Sequence, residues 1–322
     1  MIEEFKFKSS TGKELYAKKW YDENLKNYKG VVQLVHGMEE FIGRYDEFAL
    51  FLASKGYMVV GHDHIGHGNS VKDDSELGNF ECKDAWFRLA EDIHILQNKV
   101  AKEYPNITYI VMGHSMGSLL TRTYLTIYND NLSGAIITGT SGQKYGLHLG
   151  ILLASIIKMF KGGDYKSKLL ERLVTGSFNN NFKPTRTEAD WTTSDETKVD
   201  EYMKVAKPNR KFTVDSYIAL FKGSIYLNRK DKIKNTPNIP ILIFSGDKDP
   251  VGANGKGVKR VYNMLKEAGV ENITFKLFEN GRHEMLNEVN REEVFDFVLE
   301  WIENIKIMKI KYEQKRKSHA SV

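Results

Sequence analysis

The residues of this chain best suited to chemistry centre on Ser115. It lies in Tyr109-Ile-Val-Met-Gly-His-Ser-Met-Gly-Ser-Leu-Leu120, where an apolar run stops at Gly113, a serine stands between two glycines, and apolar residues resume. A G-x-S-x-G pattern between a strand and a helix makes a sharp turn that presents its serine as a nucleophile. The plainer reading of so short a pattern is an ordinary tight turn, and the rest of the chain has to decide. A serine hydroxyl is a weak nucleophile at neutral pH. It needs a histidine base, and the histidine needs a carboxylate to fix its tautomer.

Both partners are present downstream, in the chain order serine, acid, histidine. The acid lies in Ile241-Leu-Ile-Phe-Ser-Gly-Asp-Lys-Asp-Pro-Val251. Asp249 is deeper in that loop, just before Pro250, whose fixed φ stiffens the turn. Asp247 is closer to the strand end and reads as structural. The histidine lies in Phe278-Glu-Asn-Gly-Arg-His-Glu-Met285. His36, His62, His64, His67, His94 and His114 precede Ser115, His148 falls in an inserted segment and His319 in the tail. Only His283 follows Asp249 at the end of a strand.

Attack on a carbonyl creates an oxyanion, which needs two aimed N–H donors. The residue after the nucleophile, Met116, supplies one. Met38, in the loop after the strand that ends at Val35, is the candidate for the other. The cluster His62-Asp-His-Ile-Gly-His-Gly68 invites a metal reading. Its spacing matches no zinc pattern, and its glycines favour a tight polar turn, so neither a metal nor a cofactor is expected.

These residues have to be positioned by elements that the sequence spells out. Phe5–Lys8 and Leu15–Trp20 flank Ser10-Thr-Gly12 as a hairpin. Gly30–His36, Tyr57–Val60, Ile107–Met112, Ala135–Thr138, Ile239–Phe244 and Ile273–Phe278 are short apolar runs, as strands buried on both faces should be. Between them lie helical patterns: Tyr45 to Leu52 ending before Gly56, Leu89 to Val100, Leu119 to Tyr128, and Val258–Ala268 ending at Gly269. A last helix has Asn290 as its cap, Glu293 three residues on, and apolar residues from Val294 to Ile305. Strands alternating with helices predict an α/β fold, a mostly parallel sheet covered on both faces. The alternation breaks between residues 141 and 235, a segment too long for a loop. It reads as a helical cap inserted in a core made of residues 1–140 and 236–322, with Phe178, Phe182, Trp191, Tyr202, Met203, Phe212, Tyr217 and Phe221 scattered through it.

Composition bounds the rest. The chain has 322 residues, 41% hydrophobic and 28% charged, which describes an ordinary globular protein. Cys82 is the only cysteine, so no internal disulfide can form. No secretion signal or membrane span is apparent, and a cytoplasmic location is expected. The net charge of +5 is concentrated between Ser141 and Asn235, where Lys and Arg outnumber Asp and Glu by eight, and in the tail Lys306–Lys317. Such charge could meet anionic lipid or nucleic acid, but a solvated lysine-rich surface is the simpler reading, and no nucleic-acid motif accompanies it. The apolar stretch Leu147–Phe160 is too short to span a bilayer. Buried packing within the cap is the preferred expectation for it. The alternative is transient contact with a membrane surface, helped by Lys158 and Lys161.

Three stretches together resemble the α/β-hydrolase fold serine hydrolases: His36-Gly-Met-Glu-Glu-Phe-Ile-Gly-Arg-Tyr45, Gly61-His-Asp-His-Ile-Gly-His-Gly-Asn-Ser70 and Gly113-His-Ser-Met-Gly117. Within them the chain is most similar to the monoacylglycerol lipase and lysophospholipase group, which is grouped with serine aminopeptidases. The resemblance implies Ser115, Asp249 and His283 as a catalytic triad, with Met38 and Met116 as oxyanion donors. It implies that Glu40 and Arg44 lie near the polar head of a lipid substrate and that the cap forms an acyl tunnel. This chain departs from the usual His-Gly-x-Gly-Glu-His of those relatives: Glu39 replaces the second glycine and Phe41 the second histidine. Ser118 stands where they usually carry glycine. These departures leave the chemistry intact and bear on the head group.

The expected function is therefore a serine ester hydrolase of lipase or lysophospholipase type, acting on a small lipid or ester. The alternatives are an aminopeptidase or amidase on the same triad, which would need a free pocket acid such as Glu39 or Glu40, and a non-catalytic ligand-binding protein on a hydrolase fold. Oligomeric state is left open.

Overall fold

The computed structural model describes residues 1–128, 131–142, 146–206 and 210–320, with side chains as far as residue 305. The basic tail Lys306–Lys317 lies outside the side chains described. Eight strands form one sheet in the order β1-β2-β4-β3-β5-β6-β7-β8. They are β1 (Ile2–Lys8), β2 (Glu14–Trp20), β3 (Val31–Val35), β4 (Met58–His62), β5 (Tyr109–His114), β6 (Gly134–Thr138), β7 (Ile241–Gly246) and β8 (Ile273–Phe278). The hairpin β1–β2 and the pair β2–β4 are antiparallel, and every other pairing is parallel.

Alternation along the central strands explains the apolar runs. Val31, Val35, Val111, Ala135, Ile137, Ile241 and Ile243 face one side. There they meet α2 (Ala85–Glu103), α3 (Met116–Ile127) and α9 (Lys256–Glu267). Val32, Leu34, Ile110, Met112, Ile136, Leu242 and Phe244 face the other side, covered by α1 (Asp46–Ser54) and α10 (Arg291–Ala320). Neither face is left for polar residues, so period-two alternation is absent from the sequence.

Between β6 and β7 the chain leaves the sheet for α4 (Leu147–Lys161), α5 (Lys168–Thr175), α6 (Glu196–Val205), α7 (Val214–Tyr226) and the short α8 (Lys230–Ile233). Helix α7 anchors this group to the core. A side chain at Gly223 would strike the Trp86 ring, whose Nε1 donates to Thr123 Oγ1 at 2.9 Å. Helix α4 lies on α7 where Gly150 makes room for the Phe221 ring.

The expectation that Leu147–Phe160 is buried packing is overturned. In α4 only Ala154 is buried, whereas Leu149, Leu152, Ile156, Met159 and Phe160 are 44–75% exposed. Those five fall at helical spacing on one face. Helix α4 is covered on its α7 side, and among the described residues nothing covers the opposite stripe.

The turn His62–Gly68 is as polar as its glycines predict: Asp63 Oδ1 accepts from Ile42 N–H and Oδ2 from Asn69 N–H, each at 2.7 Å. Its histidines are buried with His36, with ring centroids 4.2 Å apart for His36–His64 and 5.0 Å for His62–His64. Among the described residues no group of three His, Cys, Asp or Glu side chains could hold a metal ion. Burial pushes the pKa of His62 down to about 3 and that of His67 to about 4, so both are neutral in the fold. An unfolded chain would protonate them near 6.5. Their contribution to stability is thus full above that pH and lost as pH falls below it, by about 1.4 kcal/mol per histidine for the first unit. Asp63 and Asp92, raised by burial to about 6 and about 7, act in the opposite sense, so a variant comparison isolates the effect. Among the described residues neither ring nitrogen of His62 has a hydrogen-bond partner. In urea unfolding, His62→Leu should therefore gain about 1.4 kcal/mol relative to wild type between pH 7.5 and 5.5. A pH-independent difference contradicts a neutral buried His62.

Candidate active site

Ser115, Asp249, His283 and Met38 all sit just beyond the carboxyl ends of parallel strands, where open α/β sheets place their ligands. Ser115 links β5 to α3 at φ 54°, ψ −122°, a conformation that a non-glycine residue adopts only under constraint. The constraint is packing. A Cβ at Gly117 would enter the Val35 carbonyl, and one at Gly113 would enter Gly117 and Thr121. Both glycines are thus needed for α3 to lie this close to β3 and β5. Ser115 N–H donates to Thr138 O at 3.0 Å, and Ser118 Oγ donates to Ser115 O at 2.6 Å. Ser118, one of the departures noted above, therefore braces the turn.

Asp249 has no solvent exposure. Its Oδ1 receives His283 Nδ1 at 3.0 Å and Val251 N–H at 2.8 Å, and its Oδ2 receives Ser245 Oγ at 2.8 Å. Burial on its own would raise the Asp249 carboxyl, but His283 and these donors outweigh it and hold it below its ordinary value. Burial would likewise lower His283, and the facing carboxylate outweighs it and raises the imidazole above 6.5. The two loops are joined by Lys248 N–H donating to Gly281 O at 2.9 Å, and a Cβ on Gly246 would collide with Gly281. Asp247, by contrast, does not reach His283. Its N–H closes onto Phe278 O at 3.0 Å.

His283 is packed by His114 (centroids 4.6 Å) and Trp191 (5.0 Å). Burial holds His114 down to about 3, so it adds no positive charge beside the base. Gly139, at φ 58°, is the only residue type that fits against both imidazoles, since a Cβ there would come within 3 Å of each.

The loop after β3 carries Met38. Gly37, just before it, lies so close that a Cβ would be 3.0 Å from Ser115 Cβ. Gly37 N–H donates to Glu40 Oε1, which also accepts from Tyr45 Oη at 3.0 Å. Arg44 Nη1 bonds Glu40 Oε2 at 3.0 Å, and the Arg44 fork grips both oxygens of Glu284 at 2.7 Å. The Tyr202 ring lies 4.5 Å from the guanidinium. Burial alone would raise Glu284, but Arg44 outweighs it and holds it ionised. This buried cluster ties the Met38 loop to the residue after His283. The sequence signalled Glu40 and Arg44. It carried no signal for Glu284 as their partner or for Trp191 against the imidazole.

Ser115 and His283 open on a cavity of about 770 Å³, bordered also by Met38, Met116, Glu40 and Arg44. Its lining includes the apolar side chains of Leu119, Leu153, Leu170, Val174 and Phe221, and a set of paired charges, Glu39, Glu171, Glu188, Arg210 and Lys211. The architecture and the site define an α/β hydrolase with a serine and a histidine at one cavity and a buried aspartate bonded to that histidine.

Comparison with known proteins places it further. The Serine aminopeptidase, S33 family matches residues 26–290, and the chain belongs to that family. It is 27% identical over 281 residues to the monoacylglycerol lipase of Mycolicibacterium smegmatis, covering 85% of this chain and 88% of that protein. It is 22% identical to human monoglyceride lipase, covering 85% and 82% of the two chains. Among solved structures, a thermostable carboxyl esterase from Bacillus coagulans in complex with glycerol superposes with a TM-score of 0.87 at 28% identity, covering 94% of this chain and 98% of that one.

Proposed function

We propose that the protein is a serine hydrolase of carboxylic esters, of lipase or lysophospholipase type. Ser115 Oγ attacks the ester carbonyl while His283 Nε2 takes its proton, and Asp249 stabilises the imidazolium that forms. The backbone N–H groups of Met38 and Met116 hold the oxyanion. Met116 suits this because it opens α3, where N–H groups have no partner within the helix. The alcohol leaves with the proton from His283, and water then releases the acid from the acyl-enzyme. No metal or cofactor enters the scheme. The observation that carries the reading is the buried Asp249–His283 pair, whose imidazole lines the same cavity as Ser115 together with the apolar side chains of Leu119, Leu153, Leu170, Val174 and Phe221.

The relatives named as monoacylglycerol lipases support a lipid-like substrate. In this reading residues 141–235 are the cap, residues 1–140 and 236–322 the core, and Glu40 and Arg44 wall the side that receives the alcohol portion. The aminopeptidase alternative is not favoured. It needs a carboxylate free to meet an α-amino group, and Glu40 is engaged by Gly37, Tyr45 and Arg44, while Glu39 pairs with Lys211 and Arg210.

Hydrolysis rates of wild type and Ser115→Ala should be compared on a monoacylglycerol, lysophosphatidylcholine, a short p-nitrophenyl ester and an aminoacyl-naphthylamide. Turnover of a lipid ester should fall about 10⁶-fold in the variant. Equal residual activity in the two proteins would sink the mechanism, and cleavage of the naphthylamide alone would replace the ester by an amide.

The exposed stripe of α4 supports a second element of the proposal, transient contact with a lipid surface from a cytoplasmic location. Among the described residues no helix is long and apolar enough to cross a membrane. Lys158 is paired with Asp215 at 2.6 Å, whereas Lys161, the other cation expected to help, has no ion-pair partner among the described residues. The protein should co-sediment at low salt with vesicles of phosphatidylcholine and phosphatidylserine, and Met159→Asp with Phe160→Asp should abolish this. Absence of wild-type protein from the vesicle pellet rules the contact out.

A further inference from the structure

Glu39 occupies a position where the relatives this chain resembles carry glycine, and it keeps the backbone that glycine would favour, at φ 61°. A charged residue in that conformation needs something to hold it. The side chain is only 8% exposed, and its Oε2 lies 3.1 Å from Lys211 Nζ and 3.9 Å from Arg210 Nε. Both cations belong to the inserted segment. Lys211 is bound in turn to Glu171 at 2.9 Å, at the start of α5, and Arg210 Nη2 to Glu188 at 2.7 Å. Tyr202 Oη accepts from Arg210 Nε at 3.1 Å and leans on Glu39 O at 3.4 Å, while its ring covers Arg44. The inserted helices thus grip the loop after β3 at two points, Glu39 and Arg44, on either side of Glu40.

We propose that Glu39 is a positioning residue whose ion pairs with Lys211 and Arg210 couple the cap to the oxyanion loop, so that the cap's placement sets the direction of the Met38 N–H. The inference rests on the serine-hydrolase reading above. Glu39 follows Met38 directly, so a displacement of Glu39 is passed through Met38 Cα to the Gly37–Met38 peptide, which carries the Met38 N–H. Among the described residues Glu39 Oε1, which is buried, has no hydrogen-bond partner. The carboxylate therefore depends on its cations. Without them, a buried uncompensated charge would draw the loop outward to reach water. The requirement is specific to this chain: a glycine loop adopts the same φ without an anchor.

The test is a set of variants assayed on a p-nitrophenyl ester and on binding of an alkyl trifluoromethyl ketone, whose adduct with the serine places an oxyanion in the hole. A fully lost oxyanion donor costs about 10²–10³ in turnover, so a misdirected one should cost about tenfold. Lys211→Met and Glu39→Ala should each lower kcat about tenfold, leave KM within about twofold, and weaken ketone binding in parallel. Combining them should cost no more than either alone. Lys211→Arg should retain activity. Glu39→Gly should recover turnover above Glu39→Ala, because it relieves the strain that the lost anchor no longer holds. Lys211→Met probes the pair from the cap side if the Glu39 variants fail to fold. Full kcat in a folded Lys211→Met protein, or a loss confined to KM, overturns the proposal. Wild-type protein that neither turns over the ester nor reacts with a fluorophosphonate overturns the serine-hydrolase reading instead.

Discussion

The site depends on keeping one carboxylate ionised where water cannot reach it. Asp249 is wholly buried, and an isolated charge there would cost several kcal/mol. Three groups offset that cost: Ser245 Oγ, Val251 N–H and the His283 imidazole. Ser245 sits at the end of β7 and Val251 in the loop that carries Asp249. The third arrives from the neighbouring strand, because β7 and β8 pair in parallel and end together, Gly246 opposite Phe278. Register in the sheet therefore delivers the histidine, and the charge it meets raises its basicity.

The same logic extends outward through Glu284 and Arg44. Replacing either end of a buried pair leaves the other uncompensated, which typically costs 3–5 kcal/mol. Arg44 serves two carboxylates at once, one on the loop after β3 and one beside His283. That arrangement makes the spacing between the two loops a property of a single rigid fork. Two of the non-glycine residues held at positive φ, Ser115 and Glu39, lie in the same place. Strain of this kind costs about 1–3 kcal/mol per residue and persists only where the surroundings over-determine it. Here they do so by close glycine contacts at Ser115 and by ion pairs at Glu39.

Much of this was legible in the sequence, for physical reasons. The strands could be read because burial on both faces demands unbroken apolar runs. The helices could be read because α1, α2, α9 and α10 each bury one stripe. Ser115 stood out because the turn demands glycine on both sides, His283 because chain order and strand ends singled it out, and Asp249 because it lies deeper in its loop than the competing Asp247. What could not be read was long-range pairing. Arg44 and Glu284 are 240 residues apart, and neither neighbourhood carries a local pattern that names the other. Leu147–Phe160 misled because an apolar run is the same whether it packs against protein or faces outward, and only the absence of a covering element on α4 separates the two. Glu39 could be seen as a departure, but its partners lie in a segment whose helices have no sheet to set their order.

The central claim is that the Asp249–His283 pair activates Ser115. The most direct test is the rate of fluorophosphonate labelling as a function of pH, with the modified residue located by mass spectrometry. A single adduct on Ser115 is predicted. Its rate should fall as pH drops through a midpoint above 6.5, where the raised imidazole takes its proton. In Asp249→Asn that midpoint should move down, and labelling should slow by up to about 10⁴-fold. An adduct on another residue, or an unchanged midpoint in Asp249→Asn, would contradict the account.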